Sequence, residues 1–154
     1  MATLVNRGEA LSTNSPASSD SAKRAEPESF RASNLAASLT VRDIQKSLAW
    51  YRDILGFTVD QQHERGGSLR AVSLKAGSVR ILIGQDDGAK GFDRVKGEGF
   101  SLQITTTQNV DEIARRIKDL GGTLDTEPVD TPWGARVFRL RDPDGFRLTI
   151  SSER

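Results

Sequence analysis

The fold is decided by residues 39–57, which read LTVRDIQKSLAWYRDILGF. The apolar run that ends at Val41 is typical of a short strand, and Asp43 is a good N-cap for a following helix. The apolar residues of that helix recur at a spacing that places them on one face, namely Ile44, Leu48, Tyr51 and Leu55. Gly56 then predicts the end of the helix. The stretch therefore predicts a strand followed by an amphipathic helix.

Three further strands complete this first half of the sequence. They are predicted over Thr58–Glu64, Arg70–Leu74 and Val79–Ile83, with a turn at Gly66-Gly67. The second half repeats the order. A strand is predicted over Phe100–Thr105. A helix capped by Asn109 and Glu112 follows it, with the apolar stripe Val110, Ile113, Ile117 and Leu120. Three strands complete this half, over Thr123–Glu127, Ala135–Arg141 and Phe146–Ile150.

The two halves are an internal repeat. Residues 56–60 match residues 121–125, and residues 79–83 match residues 146–150. The sequence predicts an α+β fold in which two tandem βαβββ modules pair into one domain, with a curved mixed sheet around a shared cavity. Module one spans about residues 34–84, a linker residues 85–99 and module two about residues 100–152, within a domain of residues 34–152. Residues 1–33 are small and polar, and we expect a disordered N-terminal tail there.

Composition removes several functional classes. The 154 residues carry 22 Lys and Arg against 21 Asp and Glu, which gives no electrostatic case for binding nucleic acid or a membrane surface. There is no Cys, which excludes disulfides and thiol chemistry, and the one His, His63, excludes a multi-histidine metal site. No apolar run is long enough to span a membrane, and no secretory h-region is evident, so we expect a cytoplasmic protein.

The quoted stretch resembles the opening module of the vicinal oxygen chelate superfamily, which includes glyoxalase I, extradiol dioxygenases, methylmalonyl-CoA epimerase and bleomycin-resistance proteins. Pro132-Trp133-Gly134 and residues 142–148 (DPDGFRL) are similar to its closing module. The resemblance covers about residues 35–152. It implies a homodimer, and in the enzymes of the group a divalent metal held by His, Glu and Gln on the concave sheet.

The residues at the positions that this resemblance gives to the metal ligands do not form a metal-binding set. These positions fall on Ala36, Leu82 and Thr149, and on the fifth strand either on Leu102 or on Gln103. Divalent metals need several converging oxygen or nitrogen donors, which this set does not supply. The sequence therefore predicts no metal site, no cofactor and no catalytic residue.

Other residues of the same strand faces suit a ligand. Period-two alternation places Arg80 and Arg147 at equivalent positions of the two modules, where two guanidinium groups would favour an anion; alternatively both lie at a rim, paired with carboxylates. Phe92 and Trp133 would contact an aromatic ligand, or pack as structure. The predicted ligand-binding residues are Ser38, Thr40, Arg80, Leu82, Phe92, Gln103, Thr105, Trp133, Arg147 and Thr149.

These observations favour a metal-free protein that binds an anionic or aromatic small molecule and acts by sequestering it, as a homodimer. Two alternatives stay open. One is a metal-dependent lyase, isomerase or dioxygenase of the glyoxalase type, which would need ligands not identified here. The other is an interaction domain whose cleft is filled by its own side chains.

Overall fold

A computed structural model describes residues 30–154 of the chain. Residues 1–29 lie outside the described part, so the predicted disordered tail over residues 1–33 stays a prediction. Residues 35–154 form one compact unit that contains both halves of the repeat.

The first module forms a four-stranded mixed sheet and one helical region. Its elements are β1 (Ala37–Val41), α1 (Ile44–Ala49), a π-helical segment (Trp50–Ile54), β2 (Thr58–Arg65), β3 (Ser68–Ala76) and β4 (Val79–Gln85). The strand order is β1-β4-β3-β2, with β1 parallel to β4 and the other neighbours antiparallel. Gly66 and Gly67 both have positive φ, as the tight turn between β2 and β3 requires.

The second module repeats this arrangement. Its elements are β5 (Ser101–Thr106), α2 (Val110–Asp119), β6 (Leu124–Asp130), β7 (Arg136–Arg141) and β8 (Arg147–Ser152), with strand order β5-β8-β7-β6. The predicted α+β fold of two βαβββ modules is confirmed. The strands form two separate four-stranded sheets, one in each module. The predicted curved surface is therefore not one continuous hydrogen-bonded sheet, because the strands of each module pair only with one another.

Both helices begin at the predicted caps. The Asp43 carboxylate accepts from the backbone N–H groups of Gln45 and Lys46, and the Asn109 side chain accepts from that of Glu112. The first helix differs from the prediction because its last turn widens to a π-helix, in which the N–H of Leu55 donates to the carbonyl of Trp50. Leu120, expected on the buried stripe of the second helix, is 51% exposed because α2 ends at Asp119.

One hydrophobic core joins the two modules. Buried residues of both sheets and both helical regions belong to it, among them Val41, Tyr51, Ile83, Ile117, Phe138 and Leu148. The opposite face of each sheet carries mostly exposed or half-buried side chains. Alternation along the strands therefore separates a core face from an open face in each module.

Candidate functional site

The two open sheet faces hold eight of the ten predicted ligand residues. The first open face carries Ser38, Thr40, Arg80 and Leu82, and the second open face carries Gln103, Thr105, Arg147 and Thr149. Ser38 lies beside Leu82 in the register of β1 and β4. Gln103 lies beside Thr149 in the register of β5 and β8, which is the equivalent pair of the second module. The repeat thus places two similar small patches on two separate sheets.

The residues at the metal-ligand positions implied by the family do not fit a divalent ion. Leu102 packs against the core, whereas Gln103 is exposed on the second open face, so Gln103 is the fifth-strand residue that would face a ligand. Leu82 is apolar, and the neighbour of Gln103 in the strand register, Thr149, offers only a hydroxyl, so neither adds a strong metal ligand to Gln103. Within residues 30–154, no three His, Cys, Asp or Glu side chains are grouped so that they could hold a metal ion.

The two predicted anion-binding arginines have different surroundings. The Nη1 atom of Arg80 lies 3.2 Å from one carboxylate oxygen of Asp60, and the other oxygen lies 3.5 Å from the ammonium of Lys75. Arg80 is therefore paired, as the rim alternative expects. Arg147 is exposed beside Arg141 in the register of β7 and β8, and it makes no ion pair with any residue from 30 to 154. The structure places the two guanidinium groups on different sheets.

The two predicted aromatic contacts are exposed and lie in separate loops. Trp133 is 55% exposed in the turn between β6 and β7, where the backbone N–H of Thr131 donates to the carbonyl of Ala135. Phe92 is 44% exposed in the linker between the modules. It does not lie on an open face. Phe92 instead lines a pocket that the sequence did not reveal.

This pocket, here called the strand-end pocket, has a volume of about 720 Å³. It lies where β1 and β4 end, between the start of α1, the linker and the turn that joins β7 to β8. Its lining residues are Arg42, Asp43, Lys46, Ser47, Gln85, Phe92, Asp93, Arg94, Lys96, Pro143 and Asp144. Residues of both modules and of the linker therefore share one cavity.

A buried ammonium group holds the linker against both modules at this pocket. The Nζ atom of Lys96 lies 2.9 Å from Asp86 and 3.3 Å from Asp144, and it donates to the carbonyl of Thr40 at 3.0 Å. The guanidinium of Arg94, the N–H of Gly88 and Lys96 together hold the pKa of the Asp86 carboxyl well below its usual range. Sequence reasoning missed this network because Lys96 and Asp144 are far apart in the chain and each is typical of an exposed loop.

The turn between β7 and β8 has a second link to the first module. Asp142 is buried, and its carboxylate accepts from the backbone N–H groups of Asp144 and Phe146, as the turn interpretation of this segment predicts. It also accepts a 2.8 Å hydrogen bond from the hydroxyl of Tyr51. Burial raises the pKa of the Asp142 carboxyl, while these three hydrogen bonds oppose that shift. This carboxylate is occupied by structural contacts.

Two modules of this topology, each with a core face and an open face, define a protein built from paired βαβββ units. A family model described as the Glyoxalase/Bleomycin resistance protein/Dioxygenase superfamily matches residues 34–150. The chain therefore belongs to that superfamily. No curated protein matches the sequence significantly.

Several solved structures share the fold. TioX from Micromonospora sp. ML1 has a TM-score of 0.63 at 20% identity, over 79% of this chain and 97% of that chain. A superfamily member from Sphaerobacter thermophilus DSM 20745 has a TM-score of 0.63 at 24% identity, over 80% and 98%. Lactoylglutathione lyase from Agrobacterium tumefaciens has a TM-score of 0.60 at 20% identity, over 80% and 95%. At these identities the likeness establishes the fold alone.

The helices of the described residues are too short or too polar to cross a lipid bilayer.

Proposed function

We propose that this protein binds a small organic molecule on its open sheet faces without a metal centre, and that it sequesters the molecule rather than transforms it. The observation that carries the proposal is the pair of equivalent positions Leu82 and Thr149, which stand where the resemblance implies metal ligands. An apolar residue and a hydroxyl can contact an organic ligand but cannot form a divalent-ion site. A metal-dependent lyase, isomerase or dioxygenase would need ligands that these faces lack.

The ligand class follows from the polar groups on the second open face. Arg147 is exposed and its guanidinium forms no ion pair within residues 30–154, and Gln103 and Thr149 can donate or accept hydrogen bonds. A guanidinium with free N–H groups favours a carboxylate, sulfonate or phosphate. We therefore propose an anionic ligand, with Arg80 able to contribute if it exchanges Asp60 for the ligand.

We further propose that a second copy of the chain completes the site. In one chain the two open faces belong to separate sheets, and Leu82 on the first face is 36% exposed. Because ligand pockets usually enclose most of the ligand surface, an open face needs a cover. An open face of a second copy would supply that cover. We also propose a cytoplasmic location, with which the balanced charge and the lack of a long apolar run in the sequence are compatible.

A thermal-shift screen of small organic anions, run with and without divalent metals, tests this proposal. A ligand should raise the unfolding temperature equally in both conditions. The double variant Arg80→Ala plus Arg147→Ala should lose the shift, whereas the matched control Arg52→Ala plus Arg115→Ala, at two exposed helical arginines, should keep it. A shift that needs metal, or a screen in which no metal-independent shift is lost in the open-face variant, would contradict the proposal. Sedimentation analysis should show a dimer, and a monomer with bound ligand would contradict the role of the second copy.

A further inference from the structure

We propose that the strand-end pocket is a second ligand site, apart from the open faces, which takes a small organic monoanion with a flat apolar body. Its volume of about 720 Å³ lies in the range of about 300–1,000 Å³ that is usual for ligand pockets. Arg94 and Lys96 line it, and they also line a shallow depression of about 270 Å³ that contains Ser38 and Thr40 of the first open face. The linker thus lies between the two sites.

Three of the four carboxylates around the pocket already have close partners. Asp144 accepts from the backbone N–H of Arg42, the hydroxyl of Ser47 and the ammonium of Lys96. The carboxylate of Asp43 caps α1. Asp86 accepts from Arg94, Lys96 and a backbone N–H. Asp93, the remaining carboxylate, has only a 3.7 Å ion pair with Arg42, so it is the one carboxylate here that keeps most of its acceptor capacity for a cationic ligand.

The cations, in contrast, keep free donors. Lys46 is exposed and makes no hydrogen bond or ion pair within residues 30–154 through its ammonium group. Arg42 has only a 3.7 Å approach to Asp93, whose side chain is 97% exposed. Arg94 uses one N–H group for Asp86. Three positively charged side chains from two segments therefore have spare N–H groups at one pocket, which favours an anion.

The balance of charge limits that anion to a low charge. The pocket is lined by four cations, Arg42, Lys46, Arg94 and Lys96, and by three carboxylates, Asp43, Asp93 and Asp144, with Asp86 behind them. Because four positive charges meet four negative ones, a polyanion would be repelled as well as attracted. A single carboxylate or sulfonate suits these groups better.

Phe92 provides the apolar contact. A Cβ atom added to Gly88 would lie 2.5 Å from the ring of Phe92, so the ring packs directly over the glycine backbone. Phe92 is nevertheless 44% exposed, and it lines the pocket. A flat ligand could stack on it with its acidic group directed to the free cations.

The test compares two fluorescent probes, anilinonaphthalene sulfonate and its uncharged relative N-phenylnaphthylamine, titrated into the full chain. Lys46→Glu should weaken sulfonate binding at least about tenfold, the scale of a hydrogen bond to a charged group, and leave the uncharged probe unchanged. The control Lys90→Glu makes the same charge change in the linker outside the pocket lining and should alter neither probe. Phe92→Ala should weaken both probes. Circular dichroism melting checks that each variant is folded.

Three results would overturn this inference. The first is that the sulfonate probe binds the wild-type chain no better than the uncharged probe. The second is that Lys46→Glu has the same sulfonate affinity as Lys90→Glu. The third is that the double variant Arg80→Ala plus Arg147→Ala abolishes sulfonate binding while Lys46→Glu retains it. The last result would assign the anion to the open faces, so it would reject the second site and support the proposed function.

Discussion

The hydroxyl of Tyr51 donates a 2.8 Å hydrogen bond to the carboxylate of Asp142, and both residues are buried. Tyr51 lies in the helical region of the first module, and Asp142 opens the turn between β7 and β8 of the second. The bond therefore ties the modules together inside their common core. Burial raises the pKa of Tyr51 as well, so the hydroxyl remains a donor at neutral pH.

Replacement of Tyr51 by Phe should lower the free energy of unfolding by about 1.5–3 kcal/mol at neutral pH, the range for a lost hydrogen bond to a charged group. Urea denaturation measures this difference. Thr58→Val is the control, because the Thr58 hydroxyl makes an exposed 3.3 Å bond to a carbonyl and its loss should have little effect. An equal, small effect of both substitutions would show that the Tyr51 bond contributes no more to the free energy of unfolding than an exposed hydrogen bond.

The loss of unfolding free energy caused by Tyr51→Phe should become smaller as the pH falls. Burial raises the pKa of Asp142 above its usual value of 3.8, so the charged carboxylate costs stability above that value and protonation relieves the cost. The Tyr51 hydroxyl favours the charged form, hence its loss matters less once Asp142 is protonated. Unfolding free energies of both proteins, measured from neutral pH down towards pH 3.8, should converge. A constant difference would contradict this account of Asp142.

Lys96→Met should destabilise the chain more than any substitution at an exposed lysine. It removes the ammonium that both carboxylates share, and the Asp86 side chain is only 1% exposed while that of Asp144 is 5% exposed. The unfolding temperature should fall by several degrees. Lys46→Met is the matched control at an exposed, unpaired lysine and should change it little. Equal unfolding temperatures of Lys96→Met and Lys46→Met would mean that the ion pairs of Lys96 do not hold the linker in place.

Gly122→Ala should destabilise the junction of the two helical regions by about 1–3 kcal/mol through overpacking. An added Cβ would lie 2.6 Å from the Cγ2 atom of Ile117, 2.8 Å from that of Ile54 and 2.9 Å from the Ile117 carbonyl. Gly84→Ala is the control, since its nearest atom would be 3.9 Å away and its φ is ordinary. Chemical denaturation compares the two, and equal stabilities would show that this contact can relax.

Sequence patterns were sufficient for the elements because those depend on neighbours in the chain. The caps at Asp43 and Asn109, the alternation in β4 and β8, and the glycine turn at residues 66–67 all act over a few residues. The same alternation distinguishes Gln103 from Leu102 once the strand is paired. The fold and the division into core and open faces were therefore predictable.

The strand-end pocket was not predictable, because it depends on contacts between distant segments. Lys96 meets Thr40 and Asp144, which lie 56 and 48 residues away in the chain. Likewise, the sequence left open whether Arg80 faces an anion or pairs with a carboxylate, and only the folded sheet brings Asp60 to 3.2 Å from it. Cross-strand charge pairs of this kind need the register, which a single sequence does not give.

In the proposed function, the open faces hold an organic ligand and no chelated cation. The most direct test is the metal content of the purified full chain after loading with Mn²⁺, Ni²⁺, Zn²⁺ or Fe²⁺ and removal of free metal by gel filtration. We predict that the retained metal is far below one ion per chain and is the same in the wild type and in Gln103→Ala. Retention of one ion per chain or per dimer, lost in Gln103→Ala, would contradict the claim.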